Sequence, residues 1–229
     1  MKVRVRNSWE KRREFAEISV FIDVFRASTT VVYLLKGKAE EVLSVNDEGL
    51  IEDYRRAGYI TVSEVLKDSE YDNSPTKMRD NCHRNKKYIL KTGNLTESIF
   101  ANIEDTGIGL IGCFANIGSL TGYILGSGAE SVDLIVCGHH EEKKEAIEDI
   151  SCAELLGDML MGHSDLEIPF MREIEEKIEK RKKMKDIFPP HYWFDLEMAL
   201  RVSSSDIVPG IEVVTQGVVR YVDLRGDGL

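Results

Sequence analysis

The chain reads as an α/β protein with a largely parallel sheet and helices on both faces, and three observations predict it. Short apolar runs rich in Val and Ile alternate with helix-like segments from residue 16 to about residue 160. The runs are close to continuously apolar, as strands covered on both faces are. Small polar residues recur directly after them, where sheets of this kind present their ligand-binding turns.

"AEISVFIDV" is the first predicted strand, and "ASTTVVYLLKGK" follows as a helix stopped by Gly37. "EEVLSV" is a strand, "NDEGLIEDYRRAG" a short helix capped by Asn46 or Asp47 and ended by Gly58, and "YITVSEV" a third strand. Residues 67–87 are polar and without sustained periodicity, which predicts a long functional loop. The alternation then resumes with strand "YILKT", helix "NLTESIFANIED", strand "GIGLIGCF", helix "NIGSLTGYILGSG", strand "ESVDLIVCG" and helix "EAIEDISCAELLGDMLMG".

Beyond Gly162 a mixed-charge helix is predicted over residues 171–186, followed by a turn and a further helix in "IFPPHYWFDLEMALRVS". The tail "GIEVVTQGVVRYVDL" predicts one or two strands. This organisation is that of one domain, 1–229, with a helical excursion over 166–200.

The 229 residues, 42% hydrophobic and 31% charged, suit one sizeable core that needs no disulfide staples. No apolar run is long enough to span a bilayer, the basic N-terminus lacks a signal-peptide core, and the four scattered cysteines suit reduced thiols. A cytoplasmic protein is expected, with no membrane and no nucleic-acid partner, because a net charge of −10 opposes a phosphate backbone. The bases in residues 171–186 interleave with acids and read as a solvated helix face.

An acidic protein that takes a phosphorylated anion must gather positive charge locally or recruit a metal. The stretch "FIDVFRASTT" offers the means. Asp23, at the end of an apolar strand, reads either as the partner of Arg26 in a buried pair, or as a Mg²⁺ ligand or nucleophile toward phosphorus with Arg26 clamping the phosphoryl oxygens. Ser28, Thr29 and Thr30 stand at the first turn of the helix; Thr92, Gly93, Asn94 and Thr96 follow another strand, Asn116 a third, and Gly138, His139 and His140 a fourth. Such residues either cap helices or, with the exposed amides of helix N-termini, receive an anion. Glu148 and Asp149 supply a second pair of acids.

Competing motifs fail: Phe25 stands where a second aspartate would be needed after Asp23, and Lys143 where a cysteine phosphatase needs arginine. No phosphate-binding glycine loop is present, and adjacent His139 and His140 lack zinc spacing.

The motifs "VFIDVFRASTTVVYLL", "YDNSP", "YILKTGNLT", "LIGCFANIGSLTGYI" and "LIVCGHHEEKKEAIEDISCAELL" resemble, in order and spacing over residues 18–160, those of the 2-phosphosulfolactate phosphatase family. The resemblance implies a three-layer α/β/α fold, Mg²⁺ as cofactor, and a small phosphorylated acid as substrate. It implies Asp23 and Arg26 as catalytic groups, and Asp23 with Glu148 or Asp149 as metal ligands. Ser28, Thr29, Thr30, Asn73, Ser74, Asn94, Thr96 and Asn116 would surround the substrate. Cys152 matches a family cysteine and reads equally as a small buried residue.

Three departures stand out. Val65 replaces an arginine beside Glu64, Leu95 replaces a turn glycine, and Asp72 replaces the glycine of "GNSP". They keep alternatives open: a non-catalytic phosphate- or metabolite-binding descendant, or an assembly protein using the aromatics of 166–200. Self-association into a homo-oligomer is likewise open.

Overall fold

The computed structural model describes residues 1–11, 14–80, 83–163, 176 and 190–225. Among them, nine strands form one sheet: β1 (Lys2–Asn7), β2 (Ala16–Ile22), β3 (Glu41–Val45), β4 (Ile60–Val62), β5 (Lys87–Leu90), β6 (Thr106–Gly112), β7 (Ser131–Val136), β8 (Pro209–Thr215) and β9 (Val218–Asp223). The helices are α1 (Ala27–Lys36), α2 (Ile51–Arg56), α3 (Pro75–Asp80), α4 (Leu95–Asn102), α5 (Ile117–Ser127), α6 (Ile147–Leu160) and α7 (Pro190–Ala199). None of the described helices is long and apolar enough to cross a membrane.

The sheet order is β1-β7-β2-β6-β8-β9-β3-β5-β4, and five of its eight pairings are parallel. The β8–β9 hairpin pairs antiparallel with β6 on one side and β3 on the other. Three antiparallel steps therefore separate two parallel blocks, and β3, β4 and β5 run opposite to β1, β2, β6 and β7. The polar turns after β2, β6 and β7 therefore belong to one block, and the turn after β5 to the other. Strand twist of roughly 20–25° per pairing accumulates across the five pairings from β2 to β5 and turns the blocks toward crossing. Loops from both then meet: the His140 amide after β7 donates to Asn94 Oδ1 after β5 at 3.2 Å.

Helices cover both faces. A Cβ on Gly112 would press against Leu120 of α5, whereas one on Gly109 would meet Ile103, just beyond α4. Three residues apart on β6, these positions point to opposite faces. Between the helical layers lies a core of fully buried residues from β2, β6, β7, α1 and α5, among them Phe21, Leu34, Leu110, Leu120, Leu134 and Ile135. A second cluster of Leu43, Val45, Ile51, Ile89 and Val218 sits beside it.

Strand β1 was not among the predicted elements. Val3 and Val5 alternate with Arg4 and Arg6, and the strand pairs only with β7 at the sheet edge. The loop expected over residues 67–87 contains α3, too short at six residues for periodicity to reveal. Of the excursion, α7 is the predicted second helix, while the mixed-charge helix expected over 171–186 lies outside the described residues, Glu176 apart. Tyr192 of α7 packs edge-on against Phe25 at 4.7 Å, and Trp193 packs on the core, so these aromatics cover the chain's own interior.

Candidate active site

The "DVFRASTT" turn is held by its own hydroxyls. The Asp23 amide donates to Ser28 Oγ at 3.0 Å, Thr29 Oγ1 donates to the Val24 carbonyl at 2.7 Å, and Thr30 Oγ1 donates to the Asn73 carbonyl at 3.1 Å. All three side chains are fully buried. Their hydroxyls fix a tight strand-to-helix turn and tie it to the "NSP" loop, rather than reaching into solvent.

That turn points the Asp23 carboxylate inward, between two helix N-termini. Oδ1 accepts from the amide of Ala27, the first residue of α1, at 3.3 Å, and the amide of Leu95, the first residue of α4, is near enough to favour the charged form. Both helix dipoles favour negative charge here. Asp23 is nevertheless pushed up to about 7, first by burial, then by the charges of Glu64 and Glu148, with the amides opposing. Among the described residues no cation forms an ion pair with it.

The acids at the head of α6 differ. Asp149 is buried, its Oδ1 accepting from the Val24 amide at 2.8 Å and its Oδ2 from the Gly138 amide at 3.0 Å. It staples the ends of β2 and β7. Burial and the charges of Asp23 and Glu148 push its pKa well up despite those amides. Gly138 has φ +53°, and a Cβ there would strike the Lys144 carbonyl, so glycine is required where the staple closes. Glu148 is only half-buried.

Glu64, after β4, is exposed; its Oε1 accepts from the Gly93 amide at 2.8 Å and its Oε2 from Asn73 Nδ2 at 3.1 Å. Asn73 has φ +61°, a left-handed conformation that asparagine tolerates. Its buried Oδ1 has no hydrogen-bond partner.

Arg26 is engaged by acids that its own turn does not supply. Nη1 donates to Asp195 Oδ2 at 3.2 Å and lies 3.7 Å from Asp72 Oδ2. Asp195, on α7, is fully buried, and its Oδ1 also accepts from Ser74 Oγ at 2.6 Å and the Thr76 amide at 3.1 Å. One carboxylate thus joins the β2–α1 turn, the "NSP" loop and the C-terminal helix. Sequence reasoning passed over Asp195; the available signal was an acid in the otherwise apolar, aromatic run "HYWFDL".

The remaining predicted positions serve the frame. Thr96 Oγ1 accepts from the Thr92 amide at 3.0 Å and meets Ser44 Oγ at 3.0 Å. Asn116 accepts from the Cys113 amide and donates to the Ile111 carbonyl, fully buried. Asn94 ties the β7 loop to α4. Leu95 begins α4 as an ordinary helical residue, so replacing a glycine there introduces no left-handed strain. Cys152 is a fully buried thiol whose pKa burial drives up, which removes its thiolate.

The charges of Glu64 and Glu148 thus act on Asp23, and those of Asp23 and Glu148 on Asp149, with Asn73 on Glu64 and Arg26 in the same turn as Asp23. As a test of fit for Mg²⁺, the donor set is hard oxygen: the carboxylates of Asp23, Glu64 and Glu148, and the buried Asn73 Oδ1, which has no hydrogen-bond partner. Among the described residues no group of three or more His, Cys, Asp or Glu side chains is arranged to ring an ion. Mg²⁺ does not demand such a ring, since it keeps several waters and binds through one or two carboxylates and substrate phosphates.

Fold and site together define an α/β protein with an acidic cluster at its strand ends. The family model described as 2-phosphosulpholactate phosphatase matches residues 5–213, and the chain belongs to that family. A probable 2-phosphosulfolactate phosphatase of Thermoplasma acidophilum is 27% identical over 205 residues, covering 87% of this chain and 88% of that protein. Another of that description, from Gloeothece citriformis, is 26% identical over 159 residues, covering 66% of this chain and 64% of its own length.

Proposed function

We propose that the chain is a Mg²⁺-dependent phosphatase that hydrolyses a small phosphorylated acid resembling 2-phosphosulfolactate. The observation that carries this reading is the Asp23 carboxylate, buried at the N-terminus of α1 and raised toward neutrality first by that burial and then by the charges of Glu64 and Glu148. A cluster of carboxylates around a buried acid is a place for a divalent cation beside an anion. The family membership and the names of both relatives support the same reading.

Asp23 and Glu148 would hold the ion. Glu148 is assigned ahead of Asp149 because both Asp149 oxygens already accept backbone amides. When bound, Mg²⁺ supplies charge that stabilises the oxygens of the transferring phosphoryl group. Arg26 offers that group guanidinium donors, in an orientation fixed by Asp195. Ser28, Thr29 and Thr30 act by shaping the turn that aims Asp23 and Arg26.

The test is phosphate release from phosphorylated 2-hydroxy acids, 2-phosphosulfolactate among them, with Mg²⁺ and with chelator. Release that requires Mg²⁺ and falls roughly a hundredfold or more in Asp23→Asn is expected. Metal-independent release with Asp23→Asn unaffected would overturn the reading. A non-catalytic descendant is the second reading, because Val65, 47% exposed, stands where the sequence resemblance implies arginine. That alternative predicts thermal stabilisation by the phosphorylated acid with no turnover.

A further inference from the structure

Asp72 stands among two cations and an imidazole, drawn from three elements. Lys77 of α3 donates to its Oδ1 at 2.8 Å; His191 Nε2 of α7 lies 3.0 Å from Oδ2, and Arg26 Nη1 of the β2–α1 turn 3.7 Å from the same oxygen. Burial would raise the pKa of Asp72, but the Lys77 hydrogen bond and the charges of Lys77 and Arg26 outweigh it and hold the carboxylate below its usual range. A carboxylate so surrounded occupies the position that a phosphoryl group's oxygens would take. The position is open to solutes: Asp72, Lys77 and His191 are 38%, 44% and 40% exposed at their side chains.

Asp195 plays a different part on the same guanidinium. It is inaccessible, and its oxygens satisfy Ser74, Thr76 and Arg26 at once, so it anchors Arg26 from behind. Asp72 touches Arg26 from the solvent side, at a longer distance, and precedes Asn73, where the backbone turns through positive φ.

We infer that Asp72 is an intramolecular occupant of an anion seat built from Arg26, Lys77 and His191, and that the substrate's phosphoryl group enters this seat by displacing it. The inference rests on the reading of Arg26 as a phosphoryl ligand. It gives Asp72 a role in specificity: a singly charged anion competes poorly with a tethered carboxylate, whereas a dianion prevails.

The experiment is calorimetric titration of the full chain with inorganic phosphate, for wild type, Asp72→Asn, Asp72→Gly and the double variant Asp72→Asn/Arg26→Gln, alongside phosphate-release assays. Both single variants are expected to bind phosphate roughly fivefold more tightly than wild type, the scale of a partly exposed ion pair. The gain should vanish in the double variant. Unchanged or weaker binding in the single variants, absent binding in every chain, or a gain that survives loss of Arg26 would each overturn the inference. Turnover without that gain removes the seat and leaves the phosphatase; the gain without turnover does the reverse.

Discussion

Nη1 of Arg26 lies 3.2 Å from Oδ2 of Asp195, a fully buried carboxylate more than 160 positions away in the chain. Through this contact the C-terminal helix α7 becomes part of the site, because the same carboxylate holds Ser74 and the Thr76 amide. The "DVFRASTT" turn and the "NSP" loop keep their relative position by sharing one acid.

Removing that acid should therefore disturb fold and site together. Asp195→Ala leaves a guanidinium, a hydroxyl and an amide without their buried partner, and a loss of roughly 3–5 kcal/mol in urea unfolding is expected. Asp195→Asn keeps an acceptor and should retain most of the stability, while its kcat/KM falls because Arg26 loses its charged anchor. Full kcat/KM in Asp195→Asn would refute the anchoring role.

The two acids opening α6 should separate cleanly. Asp149→Ala strands the Val24 and Gly138 amides, so a loss on the order of 2–5 kcal/mol is expected whether or not Mg²⁺ is present. Glu148→Gln, at a half-buried position, should change stability little and instead weaken the response to Mg²⁺. Equal destabilisation by the two substitutions, measured by chemical denaturation, would contradict this division.

Asp23 gives stability a pH dependence with a definite sign. Its folded pKa of about 7 lies above its ordinary value of 3.8, so between these the folded state holds a proton that the unfolded state has released. Stability without divalent cations should therefore fall as pH rises from about 4 to about 7, and Asp149 adds to the same trend. Asp23→Asn removes the Asp23 share and should gain on the order of a few kcal/mol over wild type by pH 8. Denaturation curves at several pH values check this; a constant difference between the two proteins from pH 4 to pH 8 would exclude it.

Much of this was legible in the sequence. Short apolar runs such as "VFI" and "LIV" marked β2 and β7, and Asp23 stood out as an acid at the end of one of them. The opposed strand blocks were hidden, because strand direction depends on where the β8–β9 hairpin inserts, a long-range pairing that no local pattern encodes. The convergence of Glu64 and Glu148 on Asp23 depends on that same topology. The hydroxyls of Ser28, Thr29 and Thr30 were visible as a group, but a hydroxyl that receives phosphate and one that closes a turn look alike until the backbone path is known. Asp195 escaped notice because its partners lie more than 100 positions upstream.

The central claim is that Asp23 and Glu148 together form the seat of a divalent cation. Its most direct measurement is the thermal unfolding of wild type, Asp23→Asn and Glu148→Gln at pH 8, with and without millimolar Mg²⁺. Mg²⁺ should raise the melting temperature of wild type by several degrees, as binding to the folded state alone requires, and leave both variants nearly unmoved. An equal shift in all three proteins, or none in any, would contradict the account.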